Sequence, residues 1–220
     1  VRRFQVDVRG PPQVSRVVVR CTTVHSFRKE RTAARPTAVL ADSGHVYLTF
    51  VDKRDLEAST EVGEEYIGAA VYYAVSDDGG VSFSQNYRVA NNSCECCRIA
   101  IAPRGPENIA ILWRQVFGED VRDHAIAELT PSGKTLTTNR ASYDQWHINA
   151  CPHHGPTMVQ SSLSGDYHMS WFTNGDLNQG LYYARYSFKD KESTHLFQVD
   201  GEPGAGHPYL CLLYTSPSPR

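Results

Sequence analysis

The sequence lacks three features that would assign it to large classes of protein: long apolar runs, charge of one sign, and helical periodicity. In its 220 residues, no apolar stretch approaches the roughly 20 residues that span a bilayer. Lys and Arg number 22 and Asp and Glu 24, for a net charge of −2. A chain without a basic surface is not expected to bind nucleic acid. We therefore predict neither a transmembrane segment nor a nucleic-acid partner.

Both ends of the sequence predict a fragment of a longer protein. The chain opens on Val1, with no methionine and no signal-peptide pattern. At the other end, CLLYTSPSPR (residues 211–220) shares no pattern with what precedes it. It resembles the translated end of a transposon adapter used in sequencing-library preparation, and the alternative is a natural tail rich in proline and serine. We expect the native sequence to end near Leu210.

Short alternating runs bounded by Gly, Asp, Asn and Pro recur along the chain and predict β-strands. Their alternation is partial, which is expected of strands that are buried on both faces. The sequence therefore predicts an all-β fold. The clearest runs are HVYLTFVD, GAAVYYAVS, NIAILWRQ, DYHMSWFT and GLYYARYS.

These strands repeat in the same order. A short strand, a turn and a longer aromatic-rich strand begin at Arg35, again at Arg98 and again at Gly155, and two further strands follow each time. Four antiparallel strands at a spacing of roughly 50 to 63 residues are typical of a β-propeller blade. A pair of immunoglobulin-like sandwiches is the alternative, and it explains the repeat less well. The predicted units are a partial blade at residues 1–34, whole blades at 35–93, 94–150 and 151–206, and the start of another blade at 207–210.

The segment SDDGGVSF, residues 76–83, matches the Asp-box pattern Ser-x-Asp-x-Gly-x-(Ser/Thr)-(Trp/Phe) and lies between the third and fourth strands of its unit. Ser76 and Asp78 can accept hydrogen bonds from N–H groups of the turn. Gly80 tolerates a positive φ, and Phe83 can bury its ring beneath the hairpin. The loop supplies too few oxygens for a cation site, so we predict a structural role for these residues.

The Asp-box and the strand repeat resemble the sialidase superfamily of six-bladed propellers, which includes proteins that carry BNR repeats. Two motifs, CECCRIAIA and YDQWHINACPHHGP, are similar to exported bacterial proteins of the sialidase-like group. The resemblance covers roughly residues 35–210. It implies a fragment of a six-bladed propeller that is secreted, periplasmic or attached to the cell surface. It also implies a neuraminidase-like glycoside hydrolase that is exo-acting on acidic or sialylated glycans.

Propeller geometry predicts where a site would form, because the segments that precede the innermost strands gather at one mouth of the central channel. Loops between the second and third strands join them there. The first group of segments contributes Arg35, Cys94, Cys96, Cys97, Arg98, Cys151, His153, His154 and His207. The loops contribute Asp52, Arg54, Asp55, Arg114, Arg122, Asp123 and Asp176.

The first hypothesis for this mouth is a glycosidase pocket, as the resemblance implies. Arginines would clamp the substrate carboxylate, and one Asp would act as the acid/base. The family's Arg-Ile-Pro motif is matched only loosely at Arg35-Pro36, and Arg98-Ile99-Ala100 has Ala in place of Pro. The family's nucleophilic Tyr lies late in its domain, so no Tyr is assigned here. The candidates are Arg35, Arg98, Arg114 and Arg122 for substrate, and Asp52, Asp55 or Asp123 as the acid/base.

The second hypothesis is a soft-metal site, because Cys-x-Cys-Cys and Cys-Pro-His-His are ligands suited to copper or zinc. A disulfide from Cys151 to one of the three earlier cysteines is the competing interpretation. Either interpretation of the cysteines suits a non-catalytic propeller that binds a glycan or a protein and contains a structural or metal-binding cluster. The glycosidase hypothesis requires no cofactor. The candidate metal ligands are Cys94, Cys96, Cys97, Cys151, His153 and His154.

Overall fold

The structure is a computed structural model in which antiparallel strands dominate, so the prediction of an all-β fold is confirmed. Among the described residues, no helix has the length and hydropathy that crossing a membrane requires. Arg35 and residues 211–220 lie outside the described part of the chain. Side chains are described for residues 41, 43–118, 120–161, 164–202 and 206–210, and the backbone alone for residues 3–9, 16–22 and 37–40.

The strands form three antiparallel meanders, in which each strand pairs with the next along the chain. A further hairpin pairs β1 (Arg3–Arg9) with β2 (Arg16–Thr22). The first meander contains β3 (Thr37–Leu40), β4 (Val46–Asp52), β5 (Ala69–Ser76) and β6 (Tyr87–Ser93). The second contains β7 (Ala100–Arg104), β8 (Asn108–Phe117), β9 (Val121–Leu129) and β10 (Thr135–Arg140). The third contains β11 (Thr157–Gln160), β12 (Tyr167–Asn174), β13 (Gln179–Ser187) and β14 (Glu192–Asp200).

A helix, α1 (Arg54–Val62), occupies the connection between β4 and β5, where the sequence predicted a loop. Its first turn contains Asp55 and Glu57, whose negative charges favour a helix N-terminus. It ends at Gly63, which has a φ of 74° and donates its N–H to the last turn. No residue of α1 is buried, so the helix contributes nothing to the hydrophobic cores.

The second meander lies between the other two and shares a hydrophobic core with each. Alternate residues of β8 point to opposite faces of the sheet, as the pleat requires. Ile109, Ile111 and Trp113 belong to a core with β4 and β5, and Ala110 and Leu112 belong to a core with β12 and β13.

The first strands of the three meanders lie side by side, because β7 contacts both β3 and β11. The first and second meanders are joined by one bridge, Ser93 to Gln115, within a single sheet, and the third meander is a separate sheet. The segments that precede β7 and β11 are therefore brought together at one end of the structure. Closure into a propeller stays a prediction, as do the predicted blade limits.

The turn from Ser76 to Phe83 closes on its own hydrogen bonds. The Ser76 hydroxyl accepts the Gly80 N–H at 2.7 Å and donates to Asp78 at 2.7 Å. Asp78 accepts the backbone N–H of Ser82 at 2.9 Å and its hydroxyl at 2.6 Å. These bonds, first the one from the Ser82 hydroxyl, hold the pKa of Asp78 well below its usual range. Phe83 packs against a small core that includes Phe50.

Candidate functional site

Four cysteines meet where the segment before β7 contacts the segment before β11. The backbone N–H of Cys94 donates to the Arg114 carbonyl at 2.9 Å, which attaches the first segment to β8. Gly155 lies so close to Arg98 that a Cβ there would come within 2.6 Å of the Arg98 backbone. The glycine after the two histidines therefore permits the close approach of the two segments.

The four sulfur atoms of these cysteines all lie within 4.8 Å of one another. Cys96 and Cys151 form a disulfide, with 6.5 Å between their Cα atoms. Cys94 and Cys97 are free thiols, and their sulfurs are 3.0 Å apart. The Cys94 sulfur also lies 3.3 Å from the Cys151 sulfur. Cys94 and Cys97 are buried, and Cys96 and Cys151 are half-buried. We call these residues the four-cysteine cluster.

The two free thiols are electrostatically unequal. The hydrogen bond from Cys97 lowers the pKa of Cys94, and the positive charges of Arg114 and Arg122 act in the same direction, against the effect of burial. The same hydrogen bond, followed by burial, raises the pKa of Cys97. Cys94 is therefore the thiol of the pair that ionises first, and Cys97 retains the proton that bridges them.

Arg114 lies beneath the cluster with its guanidinium enclosed by protein. It donates to the carbonyls of Arg122 at 2.7 Å, Phe172 at 2.7 Å and His154 at 3.1 Å, and it stacks 4.7 Å from the ring centre of Trp146. The side chain is 1% exposed, and its burial lowers the pKa. Such an arginine joins the second and third meanders, and this arrangement leaves it no access to a substrate anion.

The other predicted anion-binding arginines have different surroundings. Arg122 is buried and donates its Nε–H to the Ile148 carbonyl at 2.8 Å. Arg98 is half-buried beside Gly155. The predicted set of four arginines is thus not assembled as a clamp by the described residues. Arg114 and Arg122 differ from clamp residues in their position: they lie within β8 and β9, strands of the meander that packs against the other two.

The three candidate acids are also in different environments. Asp123 is fully buried, forms an ion pair with Arg140 and accepts the Gln145 N–H at 3.3 Å. Its surroundings favour a structural role over that of an acid/base that meets substrate. Asp52 accepts two bonds from Arg54, each of 2.8 Å, at the start of α1.

Asp55, the third candidate acid, is held on α1 by contacts that the sequence did not indicate. Its two carboxylate oxygens lie 2.8 and 2.9 Å from the Tyr72 hydroxyl, and Arg88 is 3.4 Å away. Burial, followed by this hydrogen bond, raises the pKa of Tyr72 to about 12. An ion pair between Lys53 and Glu95 places the start of α1 beside the cysteine segment.

The histidines next to Cys151 reach the same end of the structure as the cluster but are not grouped with its sulfurs. The ring of His154 lies 5.0 Å from that of His207 and 4.7 Å from that of Phe172. Burial, followed by the charge of His207, lowers the pKa of His154. His153 is exposed. Among the described residues, the group of side chains that could share one metal ion comprises the four cysteines.

A cleft of about 460 Å³ opens beside the cluster, at the start of the third meander. Trp146 and Phe172 form its apolar wall, with their rings 5.8 Å apart at an edge-to-face angle. The side chains of Asn174, Gln179 and Glu202 supply polar groups to its lining. The sequence did not predict this cleft, because its walls come from loops that become neighbours only when the meanders stack.

A buried carboxylate fixes the loop beneath this cleft and was also missed from the sequence. Asp144 accepts the indole N–H of Trp171 and an amide N–H of Asn178, each at 2.8 Å. Gly175 packs against the Asp144 carbonyl so closely that an added Cβ would come within 2.1 Å. Burial raises the pKa of Asp144. Asp144 therefore holds the loop that carries Trp146 against the third meander.

No protein-family model matches the sequence, and no curated protein matches it. Two solved structures with a similar arrangement are of NanB sialidase from Streptococcus pneumoniae. A mutant of that enzyme is 12% identical with a TM-score of 0.45, over 74% of this chain and 23% of the sialidase chain. NanB sialidase in complex with a chlorobenzyl-ammonio ethanesulfonate is 11% identical with a TM-score of 0.48, over 83% of this chain and 26% of the sialidase chain. The chain thus spans about a quarter of the length of each sialidase structure.

Proposed function

We propose that the four-cysteine cluster is a binding site for a thiophilic metal ion, Zn²⁺ or Cu⁺. The observation that carries this proposal is that four sulfurs, from two segments 55 residues apart in sequence at Cys96 and Cys151, lie within 4.8 Å of one another. A tetrahedral zinc site with Zn–S bonds of about 2.3 Å places its sulfurs about 3.8 Å apart. The cluster is therefore close to the size that such an ion requires.

The charge around the cluster also suits a thiolate site. Four thiolates around a divalent ion leave two negative charges, and buried charges need partners. The guanidinium groups of Arg114 and Arg122 are both buried and both act on Cys94. Soft sulfur ligands select zinc and Cu⁺ over the hard ions of biology. Metal binding would require reduction of the Cys96–Cys151 disulfide, because only thiolates are ligands.

The surrounding architecture is, in our proposal, part of a six-bladed propeller of the sialidase type from an exported protein. Support comes from the three successive meanders, the adjacent first strands β3, β7 and β11, and the self-bonded turn at Ser76. In such a fold the cluster would lie at the mouth of the channel.

The test is metal loading of the reduced chain. Protein treated with a chelator and a phosphine reductant is mixed with Zn²⁺ or Cu⁺, passed through gel filtration and analysed for bound metal. We expect one ion per chain and a loss of that ion in Cys151→Ser. Cobalt in place of zinc should give the near-ultraviolet charge-transfer bands of thiolate ligands, which identify the donor atoms independently of stoichiometry.

The matched control for this test is His153→Ala, which removes an exposed side chain two residues from Cys151. It should keep the metal. Failure of the reduced wild-type chain to bind either ion would refute the proposal. Loss of metal in His153→Ala, with metal kept in Cys151→Ser, would replace the four-sulfur site with a histidine site.

Glycoside hydrolysis is a second candidate function, and the cleft beside Trp146 is the observation that favours it. Aromatic walls with a few polar groups, in a volume of about 460 Å³, have the composition and size of a small-molecule site. A sugar would place its apolar face on Trp146 or Phe172 and its hydroxyls against Asn174 and Gln179.

A fluorogenic sialoside tests this second candidate. The carboxylate that lines the cleft is Glu202. If it acts as the acid/base, Glu202→Gln should abolish release of the fluorophore and leave the fold intact by circular dichroism. A wild-type chain that releases no fluorophore from acidic or neutral glycosides removes hydrolysis by this chain from consideration. This outcome would leave the metal proposal untouched.

A further inference from the structure

The four-cysteine cluster contains a disulfide and a dithiol in direct contact. The Cys94 sulfur lies 3.0 Å from Cys97 and 3.3 Å from Cys151, which is one half of the disulfide. Thiol–disulfide exchange begins when a thiolate attacks one sulfur of a disulfide. Cys94 is therefore the sulfur through which the two pairs can exchange partners. This exchange does not require a metal ion. A metal ion would bind only after all four cysteines are reduced.

We infer that the cluster is a thiol–disulfide relay, in which the disulfide moves from Cys96–Cys151 to Cys94–Cys97. In the first step, Cys94 attacks the Cys151 sulfur. The Cys94–Cys151 bond forms, the Cys96–Cys151 bond breaks, and Cys96 leaves with the electron pair and takes up a proton. In the second step, Cys97 attacks the Cys94 sulfur, the Cys94–Cys97 bond forms, and Cys151 leaves as the second thiolate. The number of disulfides and thiols is unchanged, so no outside oxidant is needed.

The sequence spacing of Cys94 and Cys97 suits the disulfide that the exchange would form between them. Cys94 and Cys97 have the Cys-x-x-Cys spacing of reversible disulfides in oxidoreductases, and their sulfurs are already in contact. Migration exchanges a buried dithiol, at 1% and 4% exposure, for a half-buried one at Cys96 and Cys151. The reducing pair thus moves from the interior to the surface of the molecule.

The substrate class that follows is an external disulfide in a small molecule or a protein. The relocated Cys96 and Cys151 thiols would reduce it to two thiols and re-form their own disulfide, which leaves the cluster with two disulfides. An external dithiol would return the cluster to its starting state by the reverse exchange. Reduction of all four cysteines would then make the metal ligands available, so the relay and the metal site would be alternative states of the same residues.

Trypsin cleavage sites make the migration measurable. Cleavage after Arg88 and Arg98 gives a peptide, residues 89–98, that contains Cys94, Cys96 and Cys97. Cleavage after Arg140 and Arg185 gives residues 141–185, which contain Cys151. The Cys96–Cys151 disulfide links these two peptides, and the Cys94–Cys97 disulfide does not. A non-reducing digest therefore distinguishes the two states by mass alone.

The experiment uses the full chain, free of metal, in a Cys21→Ser, Cys211→Ser background that limits exchange to the cluster. Samples incubated in the absence of reductant are quenched with a maleimide at successive times and digested. We expect first-order loss of the linked peptides at a rate independent of protein concentration, with the alkylated positions moving from Cys94 and Cys97 to Cys96 and Cys151. The thiol titre should stay constant.

Two variants separate the steps. Cys97→Ser should stop after the first step, so that the peptides remain linked while Cys96 becomes alkylated. Cys94→Ser should slow the loss of linkage by at least about tenfold, because the attacking sulfur is absent. A wild-type chain that keeps its peptides linked, with alkylation confined to Cys94 and Cys97, would overturn the relay. This wild-type result needs no variant to fold, and it would leave the metal-loading outcome unaffected.

Discussion

The two ends of β5 differ in how their contacts are made. At the Ser76 end, the turn is closed by hydrogen bonds between residues two to four apart in sequence. At the Ala69 end, about 23 Å away for an eight-residue strand, Ser93 leads into the four-cysteine cluster. There Cys96 and Cys151 are 55 residues apart, and Arg114 reaches carbonyls 40 and 58 residues away. The turn end therefore depends on local sequence, and the cysteine end depends on the stacking of meanders.

The thiols collect at the end of β5 where two segments meet, the Ala69 end. At the turn, the side chains of Ser76, Asp78 and Ser82 are bonded to one another, whereas the junction of two segments holds sulfur atoms from both. The two ends of β5 should therefore respond differently to substitution. Changes at the cysteine end should affect global stability strongly, and changes at the turn end should have smaller effects.

The largest effect is expected for Arg114→Met. This substitution keeps much of the aliphatic stem but leaves the carbonyls of Arg122, His154 and Phe172 without the donor. Each unpaired buried acceptor costs on the order of 1–3 kcal/mol, and the charge removed from the interior offsets part of that cost. We expect a loss of about 4 kcal/mol in the free energy of unfolding, measured by urea denaturation. Arg88→Met, at a side chain that is 55% exposed, is the control, and an equal loss there would contradict the special role of Arg114.

Loss of the disulfide should come next. A cross-link over 55 residues restricts the unfolded chain, and such bonds contribute about 2–4 kcal/mol. We expect the Cys96→Ser, Cys151→Ser double variant to unfold at a lower urea concentration, by about 3 kcal/mol. Reductant should lower the stability of the wild-type chain by a similar amount and change the double variant much less. If reductant has no effect on the wild-type chain, the disulfide does not constrain the unfolded state.

The sequence predicted the strands better than the site because strands depend on local patterns. The runs around Tyr47, Tyr73 and Trp113 alternate enough to reveal their strands, and the repeat brought Cys94 and Cys151 to the same predicted mouth. The sequence could not show which cysteine pairs with Cys151. The three candidates lie within four residues, and the direction in which each side chain points depends on the folded backbone. Arg114 was assigned to substrate binding at the mouth, because the sequence of β8 alone does not show that the third meander covers this side chain. Helix α1 was missed because its residues stay outside the core.

At the turn end, Ser76→Ala should have a smaller effect. The buried Ser76 hydroxyl accepts the Gly80 N–H and donates to Asp78, and loss of such bonds costs about 1 kcal/mol. Because the turn and the disulfide share no contacts and lie far apart, their effects should add to within about 0.5 kcal/mol. Urea denaturation of Ser76→Ala, of the double cysteine variant and of the combined variant measures this. Strong non-additivity would show that the two ends of β5 do not behave independently.

The smallest effect, and the one most specific to the turn, is the pH dependence of Asp78→Asn. Hydrogen bonds from Ser82 lower the folded-state pKa of Asp78, whereas an Asp in the unfolded chain titrates near about 3.9. A lowered folded-state pKa stabilises the fold above the unfolded value, and that stabilisation is lost as pH falls through the folded-state pKa. The difference in stability between the wild-type chain and Asp78→Asn should therefore be constant near neutral pH and shrink as the pH falls below about 4. In a Ser82→Ala background, which removes the hydroxyl bond, the difference near neutral pH should be smaller. A difference that grows as the solution becomes more acidic would mean that the Asp78 carboxylate is not stabilised by the turn.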